Sequence, residues 1–369
     1  MRKIISIVFL LGFVLSLLLT DSCPAKGNKP GKTLVEEVPQ APLLSRVGNW
    51  TMVVMPDTQN YVKNREYVGI FDLMTAWIAK NRDALDIRMV LHVGDMVNQN
   101  NVLTLDGLIN VNTVSKEQWI AASRAMKNLD GIVPYIIAPG NHDFGFKSSE
   151  NRESLLNDYF PVDRNPVAKA HFVEAGPNFF GKKTSENTAY EFELPGKRKM
   201  LVVALEFAPS DRAIAWAKSV FARPAYKNHL GVVVTHAYLQ TSGKRSLTAK
   251  YQLSDANYGQ ALWEKLIYPS DNIQLVVCGH TGLRDIEATT VCNYDLNHSG
   301  KKVWQLLFDT QSIGNGNGGD GWLLLLEFSA DGKCALPRVF SPLFDISPTT
   351  RPFARVKEPV NGYRIEFDR

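Results

Sequence analysis

Short stretches of the chain repeatedly place a carboxylate, an amide or an imidazole just after an apolar run. "WTMVVMPDTQN" runs through Thr51–Met55 into Asp57, Thr58 and Gln59. "RMVLHVGDMVN" delivers Asp95, and "VPYIIAPGNHDFG" delivers Asn141, His142 and Asp143. Further on, "VVVTHAY" ends in His236, "LVVCGHTG" in His280 and "LLFDTQS" in Asp309 and Gln311. Singly, each ending is ordinary: an Asp after an apolar run is usually a turn former or a helix cap. Gathered on one edge of a sheet, three or more carboxylates and three histidines need something to neutralise them, because like charges held together repel. A divalent cation, or two, removes that difficulty. Mixed carboxylate, amide and imidazole donors suit Mn, Fe, Zn or Mg ions and exclude none of them.

These side chains need elements to carry them. Apolar runs at 51–55, 88–93, 133–138, 200–206, 231–235, 274–278, 303–308 and 322–328 read as strands. Helical spacing lies between them, in 64–85, 115–129, 211–222 and 257–268. Ser115 with Gln118 forms a capping-box pattern, and Ser210 precedes the third helix as a cap. The alternation predicts an α/β layered fold, with ligands beyond the carboxyl ends of the strands. No helix separates the last two runs, which predicts a hairpin or a second sheet there.

In this order, D-x-Q, GD, GNHD, H and GH resemble the calcineurin-like metallophosphoesterase superfamily over roughly residues 48–330. The resemblance implies a β-sandwich of two mixed sheets flanked by helices, with two metals at the strand ends. It implies that Asp95 bridges both metals, that Asn141, His236 and His280 complete the second site, and that Asp57 holds the first metal. His142 would contact the phosphate and help the leaving group depart, with Asp143 fixing its tautomer by a hydrogen bond. Gly94, Gly140 and Gly279 would let the backbone turn sharply before Asp95, Asn141 and His280. The reaction expected is hydrolysis of a phosphate mono- or diester by a metal-activated hydroxide. No nucleophilic Ser or Cys motif suggests a covalent intermediate.

The chain departs from the family pattern twice. Asp57-Thr58-Gln59 stands where Asp-x-His is usual, and Gly279-His280-Thr281-Gly282 stands where Gly-His-x-His is usual. Both missing imidazoles belong to the first metal. Three alternatives follow. The Gln59 carbonyl oxygen and water hold that metal with Asp57 and Asp95. Asp309 or Gln311 substitutes. Or one metal is retained, and the protein is a binding or scaffold protein with reduced chemistry.

The net charge of +4 comes without a basic run, so nothing points to nucleic acid, and the expected partner is a phosphorylated small molecule or other phosphoester. Arg2 and Lys3 before the apolar run 4–19 read as a secretory signal over residues 1–23, with Cys23 at a lipoprotein-type cleavage site. Residues 24–45 read as a flexible tether, 46–345 as the metallophosphoesterase domain and 346–369 as a C-terminal extension packing on it. The protein is therefore expected to be exported and lipid-anchored at the bacterial cell envelope, otherwise periplasmic or extracellular. Its membrane contact would be through the anchor alone. Cys278 reads as a core residue, whereas Cys292 and Cys334 could pair in an oxidising compartment. His92 reads as a core or wall residue, and "GNGNGGDG" at 314–321 as a flexible loop at the cleft.

Overall fold

The computed structural model describes residues 42–105, 111–356 and 363–368, so the signal, Cys23 and the tether up to residue 41 lie outside the described residues. Thirteen strands are formed among them: β1 (Trp50–Met55), β2 (Ile87–His92), β3 (Tyr135–Ile137), β4 (Phe172–Pro177), β5 (Lys183–Glu193), β6 (Lys199–Ala204), β7 (Leu230–Val234), β8 (Ile273–Cys278), β9 (Thr290–Leu296), β10 (Lys302–Phe308), β11 (Leu323–Phe328), β12 (Cys334–Phe340) and β13 (Ile365–Glu366). They make two mixed sheets, ordered β13-β12-β11-β1-β2-β3 and β4-β5-β6-β7-β8-β10-β9. Val54, Leu91 and Leu326 of the first sheet join Val202, Val232, Val277 and Leu306 of the second in one buried cluster between the sheets. Helices α2 (Val68–Lys80) and α3 (Ser115–Lys127) cover the outer face of the first sheet. Helix α4 (Asp211–Phe221) and the short α5 (Gly259–Leu262) cover that of the second. The architecture is the layered α/β fold that the alternation of strands and helices predicts, with the two mixed sheets that the family resemblance implies.

The apolar runs correspond to β1, β2, β3, β6, β7, β8, β10 and β11, all of which except the edge strand β3 have a neighbour on either side. Strands β4, β9 and β13 lie at sheet edges, where one side meets water and polar residues interrupt the apolar pattern. Between the last two runs the chain leaves the second sheet at β10 and enters the first at β11, antiparallel to β1. The capping box on α3 slips by one residue. Glu117, not Gln118, reaches back to the Val114 N–H at 3.0 Å, and Ser115 Oγ instead accepts the Val102 N–H at 2.6 Å. Ser210 caps α4 as expected, its Oγ accepting the Ala213 N–H at 3.3 Å. Cys278, Cys292 and Cys334 are all buried free thiols. The last two sit on β9 and β12, strands of different sheets, so they do not pair.

Topology explains the convergence. Strands β1, β2 and β3 run parallel to one another, as do β6, β7, β8 and β10. Parallel strands release their carboxyl ends on the same edge. Asp57, Asp95 and Asn141 follow β1, β2 and β3, and His236, His280 and Asp309 follow β7, β8 and β10.

Candidate metal centre

Two of these residues pay for their position in backbone strain. Asp95 (φ 52) and His280 (φ 73) take left-handed conformations that non-glycine residues seldom adopt. Gly94 (φ 111) makes the turn before Asp95, and a Cβ there would lie 2.7 Å from His236 Nδ1. Gly140 and Gly279 serve otherwise than the sequence suggests. Gly140 has φ −97, and Gly279 is likewise not left-handed. Each is needed for close approach: a Cβ on Gly140 would lie 2.2 Å from Asp95 Oδ1, and one on Gly279 2.4 Å from Asp57 Oδ1.

Around His236 the donors meet. Its Nδ1 donates to Val93 O at 2.7 Å, which turns Nε2 toward Asn141 Oδ1 at 3.0 Å, Asp95 Oδ2 at 3.3 Å and His280 Nδ1 at 3.1 Å. Asn141 is oriented by its Nδ2, which donates to Ser148 Oγ at 2.9 Å. Asp95, His236 and His280 offer ligand atoms that all lie within 4.8 Å of one another. A bare Nε2 lone pair facing two acceptor oxygens and a second imidazole is repulsive, so this nitrogen calls for positive charge, either a proton of its own or a cation bound by all four side chains. Burial opposes a charged imidazole at His236, but the Asp95 and Asp57 carboxylates outweigh it and push the group up to about 10. Burial would raise Asp95, yet His236 and His142 hold its carboxyl well below the usual range. Burial and then the His236 charge push His280 down to about 3, keeping a lone pair for a ligand.

On the other side of Asp95 the donors are oxygens and amides. Gln59, in the single turn α1 (Gln59–Val62), donates from Nε2 to Asp95 Oδ2 at 3.0 Å and to Gln311 Oε1 at 2.5 Å. Gln311 Nε2 in turn donates to Asp57 Oδ2 and to Asp309 Oδ2, each at 2.9 Å. Burial, then the neighbouring Asp309 charge, pushes Asp57 well above the carboxylate range. Burial likewise lifts Asp309 to about 6, against hydrogen bonds from Gln311. All the metal ligands expected from the sequence, including Asp309 and Gln311, are therefore linked in one network.

His142 and Asp143 part company. His142 hangs over the network, its main-chain N–H donating to Asp95 Oδ1 at 2.9 Å. Its Nδ1 donates to Asn98 O at 2.6 Å, which leaves Nε2 for the cleft. The hydrogen bond expected from Asp143 is absent. Asp143 accepts the Gly140 N–H at 2.8 Å and the Val97 N–H at 3.2 Å, so it braces the loops and the Asn98 carbonyl sets the tautomer. Asn141–Asp143 form a 3-10 turn, in which successive side chains point about 120° apart. His142 therefore reaches the cleft while Asp143 is fully buried. Burial and the Asp95 charge push Asp143 up to about 7.

The cleft holds about 470 Å³ above Asp95, Asn141, His142 and His280, and Thr248, Ala249, Lys250 and Tyr251 line it from the segment between β7 and α5. That segment has no periodicity, and nothing in the sequence marked it. Lys250 is exposed there, a cation beside the ligand network. The glycine-rich loop 314–321 does not line this cleft. Its Gly321 N–H donates to Tyr61 Oη at 2.9 Å, which props α1 and hence Gln59 from behind. His92 is buried as a wall residue, with Nδ1 accepting the Gly94 N–H and Nε2 3.1 Å from Thr58 Oγ1.

The chain is 28% identical to the uncharacterized protein YvnB of Bacillus subtilis over 299 residues, 79% of its own length, and spans 20% of the length of that relative. Among solved structures, a dimetal phosphatase from Danio rerio aligns with a TM-score of 0.45 at 11% identity, over 86% of this chain and 99% of that one. GAP50, the anchor in the inner membrane complex of Plasmodium, aligns with a TM-score of 0.44 at 11% identity, over 87% and 90%. The model of the calcineurin-like phosphoesterases matches residues 51–283, which contain the strand ends bearing Asp57, Gln59, Asp95, Asn141, His142, His236 and His280. With that match over more than half of its length, the chain belongs to the calcineurin-like phosphoesterase family.

Proposed function

We propose that the protein is an exported two-metal hydrolase of phosphate mono- or diesters. The observation that carries this reading is the convergence of Asp95, Asn141, His236 and His280 beneath His142. Divalent ions bound there would polarise the phosphoryl oxygens and lower the pKa of water toward neutrality. The chain's own residues do the rest. His142 gives a proton from Nε2 to the departing oxygen, while the Asn98 carbonyl keeps the other ring proton on Nδ1. Lys250 pairs with a phosphate oxygen at the mouth of the cleft. Lys250→Ala should raise KM about tenfold, roughly 1.4 kcal/mol, with a smaller effect on kcat. The rise should be larger for a monoester, which carries the extra charge, than for a diester. Steady-state kinetics on matched substrates checks it, and equal KM values for variant and parent would remove Lys250 from the binding site.

Metal analysis of the purified protein, followed by a panel of model mono- and diesters, tests the main reading. Two equivalents per chain with turnover is the expected result. The departures at Gln59 and Gly282 favour one alternative, a scaffold that keeps the fold and a single metal. One equivalent and inert chemistry would establish it. Export through a lipid anchor rests on Arg2, Lys3, the apolar run 4–19 and Cys23. Labelled palmitate should enter the protein in a bacterial host and fail to enter Cys23→Ala; an unlabelled parent would end the lipoprotein assignment.

A further inference from the structure

The cleft has a side chamber. A cavity of about 270 Å³ adjoins it, and Thr248, Ala249 and His280 line both spaces. Its far wall is the hairpin 239–245, closed by an antiparallel bridge between Leu239 and Arg245. The hairpin is held from outside the cavity. Its Gln240 N–H donates to Lys244 O at 2.8 Å, and its Gly243 O accepts from Asn293 Nδ2 at 2.8 Å. Arg245 donates to Gln260 Oε1 and to Gln305 Oε1, each at 2.9 Å. The side chains of Gln240, Thr241 and Ser242 take no part in these bonds, and all three residues line the cavity. A ligand there meets an amide and hydroxyls on a turn that is already fixed, so little ordering is needed to bind it.

Charge divides the two spaces. Asp95, His142 and Lys250 line the cleft, whereas among the described residues no Lys, Arg, Asp or Glu lines the side cavity. An ammonium or a second phosphate entering it would leave water without a counter-charge. A nucleobase would find no open ring to stack on, since Tyr258, the one aromatic side chain in the lining besides His280, is 7% exposed. At ~30 Å³ per water the cavity has the room of about nine waters, which suits a few hydroxylated carbons.

We propose that this cavity takes the alcohol part of the substrate, and that the preferred substrate is a phosphate ester of a small neutral polyol such as glycerol or a sugar. The inference rests on the proposed hydrolysis for where the phosphate sits. With the phosphate beside Lys250, the carbons of the ester reach the cavity past Thr248 and Ala249. Their hydroxyls there exchange water for Gln240, Thr241 and Ser242.

The test uses the full-length, metal-loaded protein with glycerol 1-phosphate and n-propyl phosphate, which differ by two hydroxyls on the same three carbons. The glycerol ester should have a kcat/KM at least about tenfold higher. Phosphocholine and uridine 5′-monophosphate should both fall below it. Thr241→Val keeps the shape and removes a hydroxyl, so it should lower the glycerol-to-propyl ratio about fivefold. Thr241→Phe fills the cavity and should bring the ratio close to that of the uncatalysed esters. The acidity of the leaving alcohol contributes to the ratio in the parent and cancels in the change between parent and variant. A parent that prefers propyl phosphate, phosphocholine or the nucleotide would overturn the proposal, and so would a ratio unchanged in both variants. If no ester turns over, the proposed reaction falls, and calorimetric titration with the same two esters decides this inference. Glycerol 1-phosphate bound about tenfold tighter would sustain it, and equal affinities would end it.

Discussion

Asp95→Ala should lower phosphoester hydrolysis by roughly a thousandfold or more, about 4 kcal/mol of transition-state stabilisation. One carboxylate does three things. Oδ2 faces His236 Nε2 at 3.3 Å on the mixed side and accepts from Gln59 Nε2 at 3.0 Å on the oxygen side. Oδ1 accepts the His142 N–H at 2.9 Å and so holds the turn that carries the proton donor. The left-handed backbone at Asp95 aims both oxygens inward at a conformational cost. Removing the carboxylate takes a ligand from each site and loosens His142 at once. Asp95→Asn separates these effects, since its amide oxygen can still accept the His142 N–H while the charge is gone. Both variants should lose metal and activity together. An Asp95→Ala enzyme within tenfold of the parent would show that the reaction happens elsewhere.

His142→Ala should fail differently. A positioned general acid contributes about 10²- to 10⁴-fold, and that contribution depends on how badly the departing oxygen needs a proton. The variant should lose on the order of 10²-fold or more in kcat on an alkyl phosphate and less than about tenfold on a nitrophenyl ester, whose leaving group departs unaided. Metal content should stay at the parent level, because the ring contacts Asn98 O and the cleft rather than the ligand cluster. Kinetics on a series of leaving groups, with metal analysis of the same preparation, checks both parts. An equal loss across the series would make His142 a binding group and leave the proton donor unidentified.

Much of this was legible because a strand covered on both faces is commonly one apolar run. The runs that became β1, β2, β3, β6, β7, β8, β10 and β11 could be read directly, and each polar side chain after them stands out against its run. The edge strands β4, β9 and β13 were not legible, since a strand half in water need not show an apolar pattern; β5 and β12 lie inside the sheets and escaped because polar residues such as Asn187 and Thr188, and Pro337 and Arg338, break their runs. Lys250 escaped for a related reason. It lies on an irregular segment whose path over the cleft depends on what it packs against.

The chain order of chemistry-bearing residues was determined by the sequence alone: which ends carry Asp, Asn, Gln or His, and that two imidazoles of the family pattern are missing. Their pairing was decided by the tertiary structure. Asp143 turns inward and leaves His142 to the Asn98 carbonyl, because a 3-10 turn points neighbouring side chains apart. Gln311 follows β10 of the second sheet and meets Asp57, which follows β1 of the first, because the two sheets share one core, a contact across 254 residues of chain. Local periodicity reports which face of its own element a side chain occupies. It carries no record of which distant strand end will stand across from it.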